Sequence, residues 1–339
     1  MQKKILIVAL IVIGVVVYYI FSTKLVGQKQ PKKSLKTVKV AVTSSQLVDA
    51  LAYIAYRKGY FQEEGLDVVF QLQASGKEAL ASLTLGKADF AFSTETPIVF
   101  TILNLQKIYI IATAGSTEEN VGVMVLKKSG ITELQGLKGK KIGVMIGSHN
   151  EFLLDITLML NGMLKQDVIL VNVAMDEMAT ALGEGRVDGV AIGNPYIAKL
   201  EKALSNQTVT FTHNEFYLWS KNVAIRQDYI QDNQKTVENF LFALVKAEQH
   251  IYEDVKDSQQ IIADSLKLDK TTVANLWDNY HFEVRLEQQL LAIFEDQVNW
   301  AIQDKAIDKA TIPNFLNYLY PKALAAVKPD RVTVISAKD

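Results

Sequence analysis

Cysteine is absent from all 339 residues. That single absence removes disulfides, thiolate nucleophiles, iron–sulfur clusters and thiolate zinc sites, and it leaves no cysteine to carry the lipid of a mature lipoprotein. Histidine is scarce: His149, His213, His250 and His281 are dispersed, with no H-E-x-x-H run or close metal-ligand spacing. There is no P-loop, so any ATP hydrolysis would belong to a partner. The glycines of residues 183–189 have the wrong spacing for a dinucleotide loop and lead from a helix into a strand. No cofactor and no catalytic constellation are expected. Acidic residues are missing from the first 48 positions, which hold eight of the 36 Lys and Arg; the remainder carries 28 basic against 37 acidic residues, a net of −9. Such an acidic body argues against nucleic-acid binding, and an anionic ligand would need a local site to hold it.

What is present starts with a membrane-like segment. Residues 5–21 form an uninterrupted apolar run flanked by Lys3, Lys4 and Lys24. As a helix it would reach about 25 Å, just short of a hydrocarbon core of about 30 Å. Its exit, Tyr18-Tyr19-Ile20-Phe21, is too bulky for a small-residue cleavage site, which favours an uncleaved signal anchor over a signal peptide. Six lysines follow by position 39 against two before the run, so a literal positive-inside reading keeps the body in the cytoplasm. Large domains translocate largely regardless of charge, and an extracytoplasmic body is expected instead. Residues 24–36 read as a basic tether near the lipid surface.

The body carries an internal echo. Residues 85–97 and 182–195 both run from a helix through glycine, a basic residue and an aspartate into a short apolar strand that ends in polar residues and proline. Upstream, Lys39-Val40-Ala41-Val42 precedes Asp89 by fifty residues and Lys141-Ile142-Gly143-Val144 precedes Asp188 by forty-seven. Two related α/β halves are expected. In open α/β sheets ligands bind beyond the carboxyl ends of strands, and the polar residues there are the candidates. After the first strand stand Ser44, Ser45 and Gln46, which either meet a ligand or cap the helix over 47–58. Ser75 and Gly76 open the next helix. Ser93, Thr94 and Glu95 end the first echo, Glu95 being either a cleft residue or a capping carboxylate. Gly147 would let a ligand approach the backbone, with Ser148 and His149 offering donors at a helix start. Asn194 and Tyr196 end the second echo, and Trp219 lines the cleft or is buried in the core. Tyr60 and Phe61 read as core, and residues 240–251 and 286–302 as helices.

Two long windows resemble a known family. Tyr53-Ile54-Ala55, Gly59-Tyr60-Phe61 and Glu64-Gly65-Leu66-Asp67-Val68 match an L-Y-x-A-x-x-x-G-x-F-x-x-E-G-L-x-V pattern, and residues 129–144 match an S-G-I-x-x-x-x-D-L-K-G-K-x-V-x-V run. Both are similar to the substrate-binding proteins of ABC importers for sulfonates, nitrate, taurine and thiamine-precursor pyrimidines. The chain departs from them at Leu51, where proline is usual, at Gly193, where tryptophan is usual, and in lacking the lipid-anchoring cysteine. The resemblance implies an α/β, two-lobed periplasmic-binding-protein fold (type II-like), with two crossing strands, over 122–127 and 215–226, and a ligand cleft, behind an N-terminal transmembrane helix. Expected boundaries are 1–23 for the anchor or signal peptide, 24–36 for the tether, 37–122 with 225–330 for lobe 1, 123–224 for lobe 2, and 331–339 for a tail. It implies a monomer that captures a small-molecule ligand at the extracytoplasmic face of the membrane, or in the periplasm if cleaved, and hands it to an ABC permease and its ATPase. In that family the step at Gly147-Ser148-His149 touches ligand. A sulfonate- or nitrate-like anion suits the hydroxyls and helix starts; a pyrimidine or amine would suit Glu95. An enzyme acting on a pyrimidine precursor is the alternative, although such enzymes use a cysteine-rich iron motif that this chain lacks. A membrane-anchored sensor is a further one.

Overall fold

The computed structural model describes residues 34–44, 46–118, 121–212, 217–304 and 312–335. The expected anchor and nearly all of the tether lie outside them, as do Ser45, His213 and residues 215–216 of the expected second crossing. No helix among the described residues is long and apolar enough to cross a membrane. A compact unit begins at Lys36, the first residue of a strand and the last of the expected tether.

Chain order is β1 (Lys36–Thr43), α1 (Ala50–Arg57), α2 (Tyr60–Glu63), β2 (Leu66–Gln73), α3 (Gly76–Thr84), β3 (Phe90–Ser93), α4 (Glu95–Leu103) and β4 (Ile108–Thr117). Then follow β5 (Gly122–Leu126), β6 (Lys141–Val144), α5 (His149–Leu160), β7 (Ile169–Asn172), α6 (Met178–Gly183), β8 (Gly189–Ile192), α7 (Tyr196–Ala203), β9 (Thr208–Phe211) and β10 (Trp219–Arg226). The last part is α8 (Tyr229–Glu253), α9 (Val255–Leu266), α10 (Lys270–Trp277), β11 (Tyr280–His281), α11 (Gln289–Gln303) and α12 (Pro321–Ala325).

The strands form two sheets, in the orders β11-β4-β10-β3-β1-β2 and β7-β6-β8-β5-β9. Each contains the same unit: a central parallel strand (β1 or β6) flanked by two parallel partners, with an antiparallel strand (β10 or β5) beside the third. The echo in the sequence is therefore two copies of one β-α-β-α-β arrangement. The chain passes to the second sheet between Thr117 and Gly122 and is back in the first by Trp219. That return is earlier than residue 225, because β10 pairs along its whole length with β4. Residues 331–333 are not a free tail: Leu286 donates to the Arg331 carbonyl at 2.9 Å and accepts from the Thr333 amide at 3.0 Å.

Local chemistry explains the breaks. Apolar residues at helical spacing bury six of the eight residues of α1, and Gly59, at φ +80°, turns the chain into α2 in a conformation that costs glycine no Cβ clash. Phe61 is fully buried and stacks on Phe240 at 5.1 Å; Phe240 in turn stacks on Phe90 at 4.0 Å. Tyr60 is only half-buried. The helix expected from residue 286 begins at Gln289, because Arg285 and Leu286 are held in β-bridges.

Candidate ligand cleft

Between the two sheets lie two small cavities of about 20 Å³ each, which share Gln46, His149, Asn150 and Met175. One extends to Val121, Asn194, Tyr196 and Trp219, the other to Ser75, Gly76, Thr94, Met145 and Ser148. Nearly all of these residues stand just beyond the carboxyl end of a parallel strand: Gln46 after β1, Ser75 and Gly76 after β2, Thr94 after β3, Met145 to Asn150 after β6, Met175 after β7, Asn194 and Tyr196 after β8. Parallel strands and the helices that follow them aim loops and helix starts at one edge. Two such edges meet here.

The halves are closed upon each other. Lys77 Nζ, on α3, donates to the Ile146 carbonyl at 2.7 Å, and Tyr196 Oη, on α7, donates to the Ala74 carbonyl at 3.2 Å. Each cavity has room for about one water, so a larger ligand enters only when the halves separate. A broader groove of about 680 Å³ lies on the flank beyond Lys77 and Pro97, with Phe100, Ile146, Gly147 and Asp304 in its walls.

Several expected residues are employed elsewhere. Ser93 is fully buried and donates to the Gly76 carbonyl at 3.0 Å; a Cβ on Gly76 would come within 2.9 Å of its hydroxyl, so this contact packs α3 onto β3. Ser75 caps α3, accepting from the Glu78 amide at 3.2 Å, and Ser148 donates to the Met145 carbonyl at 2.6 Å, although both still border a cavity. Ser44 pairs through its backbone with Gln73 and borders neither cavity. Gly147, at φ +72°, faces the flank groove, its amide donating to Glu151 at 2.6 Å.

Glu95 is the largest departure. It does not line either cavity; it is fully buried behind them, and its Oε1 accepts from both the amide and the hydroxyl of Ser220 at 2.6 Å. Its Oε2 has no hydrogen-bond partner. Burial raises its pKa to about 7, against the opposing effect of the Ser220 bonds and the charge of Lys221. Held by Ser220 and outside both cavities, this carboxyl does not offer itself to an amine in the cleft.

The charge that does lie close behind the cleft was not foreseen. Lys221 of β10 is fully buried; its Nζ donates to Gln46 Oε1 at 2.5 Å and lies 3.4 Å from Asp49 Oδ1. Asp49, also fully buried, accepts from the Thr43 amide at 3.1 Å and from the Thr43 hydroxyl. Burial lowers the pKa of Lys221 and raises that of Asp49, and their mutual attraction opposes both shifts. His149 is buried beside Trp219, ring centroids 4.7 Å apart, with neither ring nitrogen hydrogen-bonded. Burial, with Lys221's charge adding to it, lowers its pKa to about 3, so its imidazole is neutral with one donor and one acceptor. The signal for Lys221 was Ser220-Lys221-Asn222 inside an otherwise apolar strand; for Met175, its place past β7. Among the described residues no group of three or more His, Asp or Glu could hold a metal ion.

This architecture has known counterparts. The alkanesulfonate-binding protein SsuA from Xanthomonas axonopodis pv. citri, solved bound to MOPS, superimposes with a TM-score of 0.73 at 16% identity, covering 84% of this chain and 98% of that one; the chain thus has the periplasmic-binding-protein fold. In sequence, the "Putative aliphatic sulfonates-binding protein" of Bacillus subtilis (strain 168) is 26% identical over 312 residues, 88% of this chain and 91% of the relative. The 4-amino-5-hydroxymethyl-2-methylpyrimidine phosphate synthase THI13 of Saccharomyces cerevisiae is 27% identical over 218 residues, 60% of this chain and 63% of the relative. The family model described as NMT1/THI5 like matches residues 48–257, and the chain belongs to the NMT1/THI5-like family.

Proposed function

We propose that the protein is the solute-binding component of an ABC importer, which captures a small polar ligand between two lobes and delivers it to a permease and its ATPase. The observation that carries this reading is the closed pair of cavities, walled from both sheets and bridged at the rim by Lys77 and Tyr196. Such a site encloses a ligand by lobe closure. Lobe 1 comprises 37–122 and 225–330 together with the return strand β10, and lobe 2 the remainder of 123–224. The protein acts as a monomer at the extracytoplasmic face, held by residues 1–23 or released if they are cleaved.

The ligand is a small anion of the sulfonate or nitrate kind. Gln46 and Asn150 contribute amides, His149 and Trp219 contribute rings, and the cation of Lys221 lies directly behind Gln46. The sulfonates-binding name of the Bacillus relative supports this choice over the pyrimidine chemistry named for the yeast relative. Thermal-shift screening of the full chain against alkanesulfonates, nitrate, pyrimidines and amino acids tests it. Anions are expected to raise Tm in a concentration-dependent way. Stabilisation by pyrimidines alone would favour the synthase-like reading, and no stabilisation by any of them would reject solute binding of this class.

A further inference from the structure

We propose that Lys221 is a positioning residue that sets the amide of Gln46, so that the cleft presents N–H donors and selects ligands by their acceptor oxygens. The inference rests on the solute-binding reading of the cleft and adds the device that decides its hydrogen-bond polarity. An ammonium group can only donate, so the Gln46 side chain must turn its oxygen toward Lys221 Nζ, 2.5 Å away. Thr43 Oγ1 lies 3.2 Å from that same oxygen. The Gln46 NH2 group is thereby turned away from both, and Gln46 borders both cavities.

Lys221 is itself held. It is fully buried, and Asp49 stands at 3.4 Å as its counter-ion, anchored by Thr43, whose carbonyl accepts from the Tyr53 hydroxyl at 2.5 Å. Reversing the Gln46 amide would set NH2 against an ammonium and leave a buried donor without an acceptor, which is costly in a low-dielectric site. The Lys221 charge is felt at His149, which borders both cavities, and so reinforces the preference that the amide imposes. On the far wall, Asn150 Nδ2 points at the weak acceptor Met175 Sδ at 3.4 Å, a second amide donor that a better acceptor could claim.

The test uses three small probes on the full chain: methanesulfonate as a charged acceptor, dimethyl sulfone as a neutral acceptor and methylammonium as a donor, each titrated by NMR. Wild type is expected to bind both acceptors at least tenfold more tightly than methylammonium. Gln46→Glu keeps one oxygen for Lys221 and puts the other where the NH2 was; the preference should reverse. In Lys221→Met combined with Asp49→Asn, which removes the buried pair together, the preference should fall to within about threefold, because the amide is free to turn. Lys221→Arg, still only a donor, should keep it. If the double variant does not fold, Lys221→Gln, which can accept as well as donate, takes its place and should likewise bring the preference to within about threefold. Wild-type discrimination that persists unchanged in Gln46→Glu or in a folded double variant overturns the role of Lys221 and leaves solute binding standing. No binding of any probe to wild type overturns both.

Discussion

Asp89 and Asp188 occupy equivalent places in the two sheets. The Asp89 amide donates to the Lys39 carbonyl and its carboxylate takes back the Lys39 amide, both at 2.8 Å; Asp188 does the same with Lys141, again at 2.8 Å in both directions. Each aspartate thus clamps the entry of a strand to the central strand beside it. The two spacings of fifty and forty-seven residues are the lengths of chain needed to travel out along one strand, back through helix, out along a second, parallel strand, and back through another helix to that clamp.

Removing either clamp should cost similar amounts. Asp89→Ala and Asp188→Ala each delete a charge-assisted bond to a backbone amide, about 1–2 kcal/mol at these exposed strand ends. The two sit in different sheets, so the double variant should be additive to within about 0.5 kcal/mol. Urea unfolding of the three variants measures this; a marked excess in the double variant would mean that the sheets share more than their connections.

Glu95 should give the protein a pH dependence opposite to that of an ordinary surface carboxylate. Its pKa is about 7 folded, against 4.5 for the free group, so between these values the folded state holds more protons and stability falls as pH rises. Glu95→Gln keeps an acceptor for Ser220 and removes the titration. The variant should gain about 3 kcal/mol relative to wild type on going from pH 4 to pH 8, most of it between pH 5 and 7. Chemical denaturation across that range checks it, and parallel curves for the two proteins would contradict the buried carboxyl. Anion binding should be no weaker in the variant.

His149 works in the other direction. Held neutral down to about pH 3, it costs the folded state stability as pH falls from about 6.5, where the unfolded chain begins to bind a proton that the folded chain refuses. His149→Phe should flatten the acid limb of the stability curve. An unchanged acid limb would show the imidazole to be charged in place.

The rim bonds should set how much of the protein is closed without ligand. Tyr196→Phe deletes the bond to the Ala74 carbonyl, about 1 kcal/mol, which shifts an open–closed equilibrium about fivefold. Small-angle scattering or energy transfer between labels on the two halves would register the opening, and Lys77→Met should act likewise through Ile146.

Phe240→Ala tests the first sheet's core. The ring stacks on Phe61 and Phe90 and meets Phe92 edge-on, so its loss should cost about 3–5 kcal/mol while ligand affinity of the folded molecules is retained.

The sequence alone determined the repeated α/β unit, because helix-ending glycines, apolar strand cores and clamp aspartates are local features that recur at readable spacings. It also placed most cleft residues, since the position after a parallel strand is itself a local property: His149, Asn194, Tyr196, Thr94 and Gln46 all come from it. Tertiary structure decided what those residues do. Glu95 follows β3 as Thr94 does, yet the antiparallel neighbour β10 brings Ser220 across 125 residues to bind it and seals it behind the cleft. That same strand carries Lys221 to Gln46, 175 residues away in sequence. Neither pairing has a local signature, because both depend on where the returning strand inserts between β3 and β4, and that insertion sets which charge stands behind the two cavities.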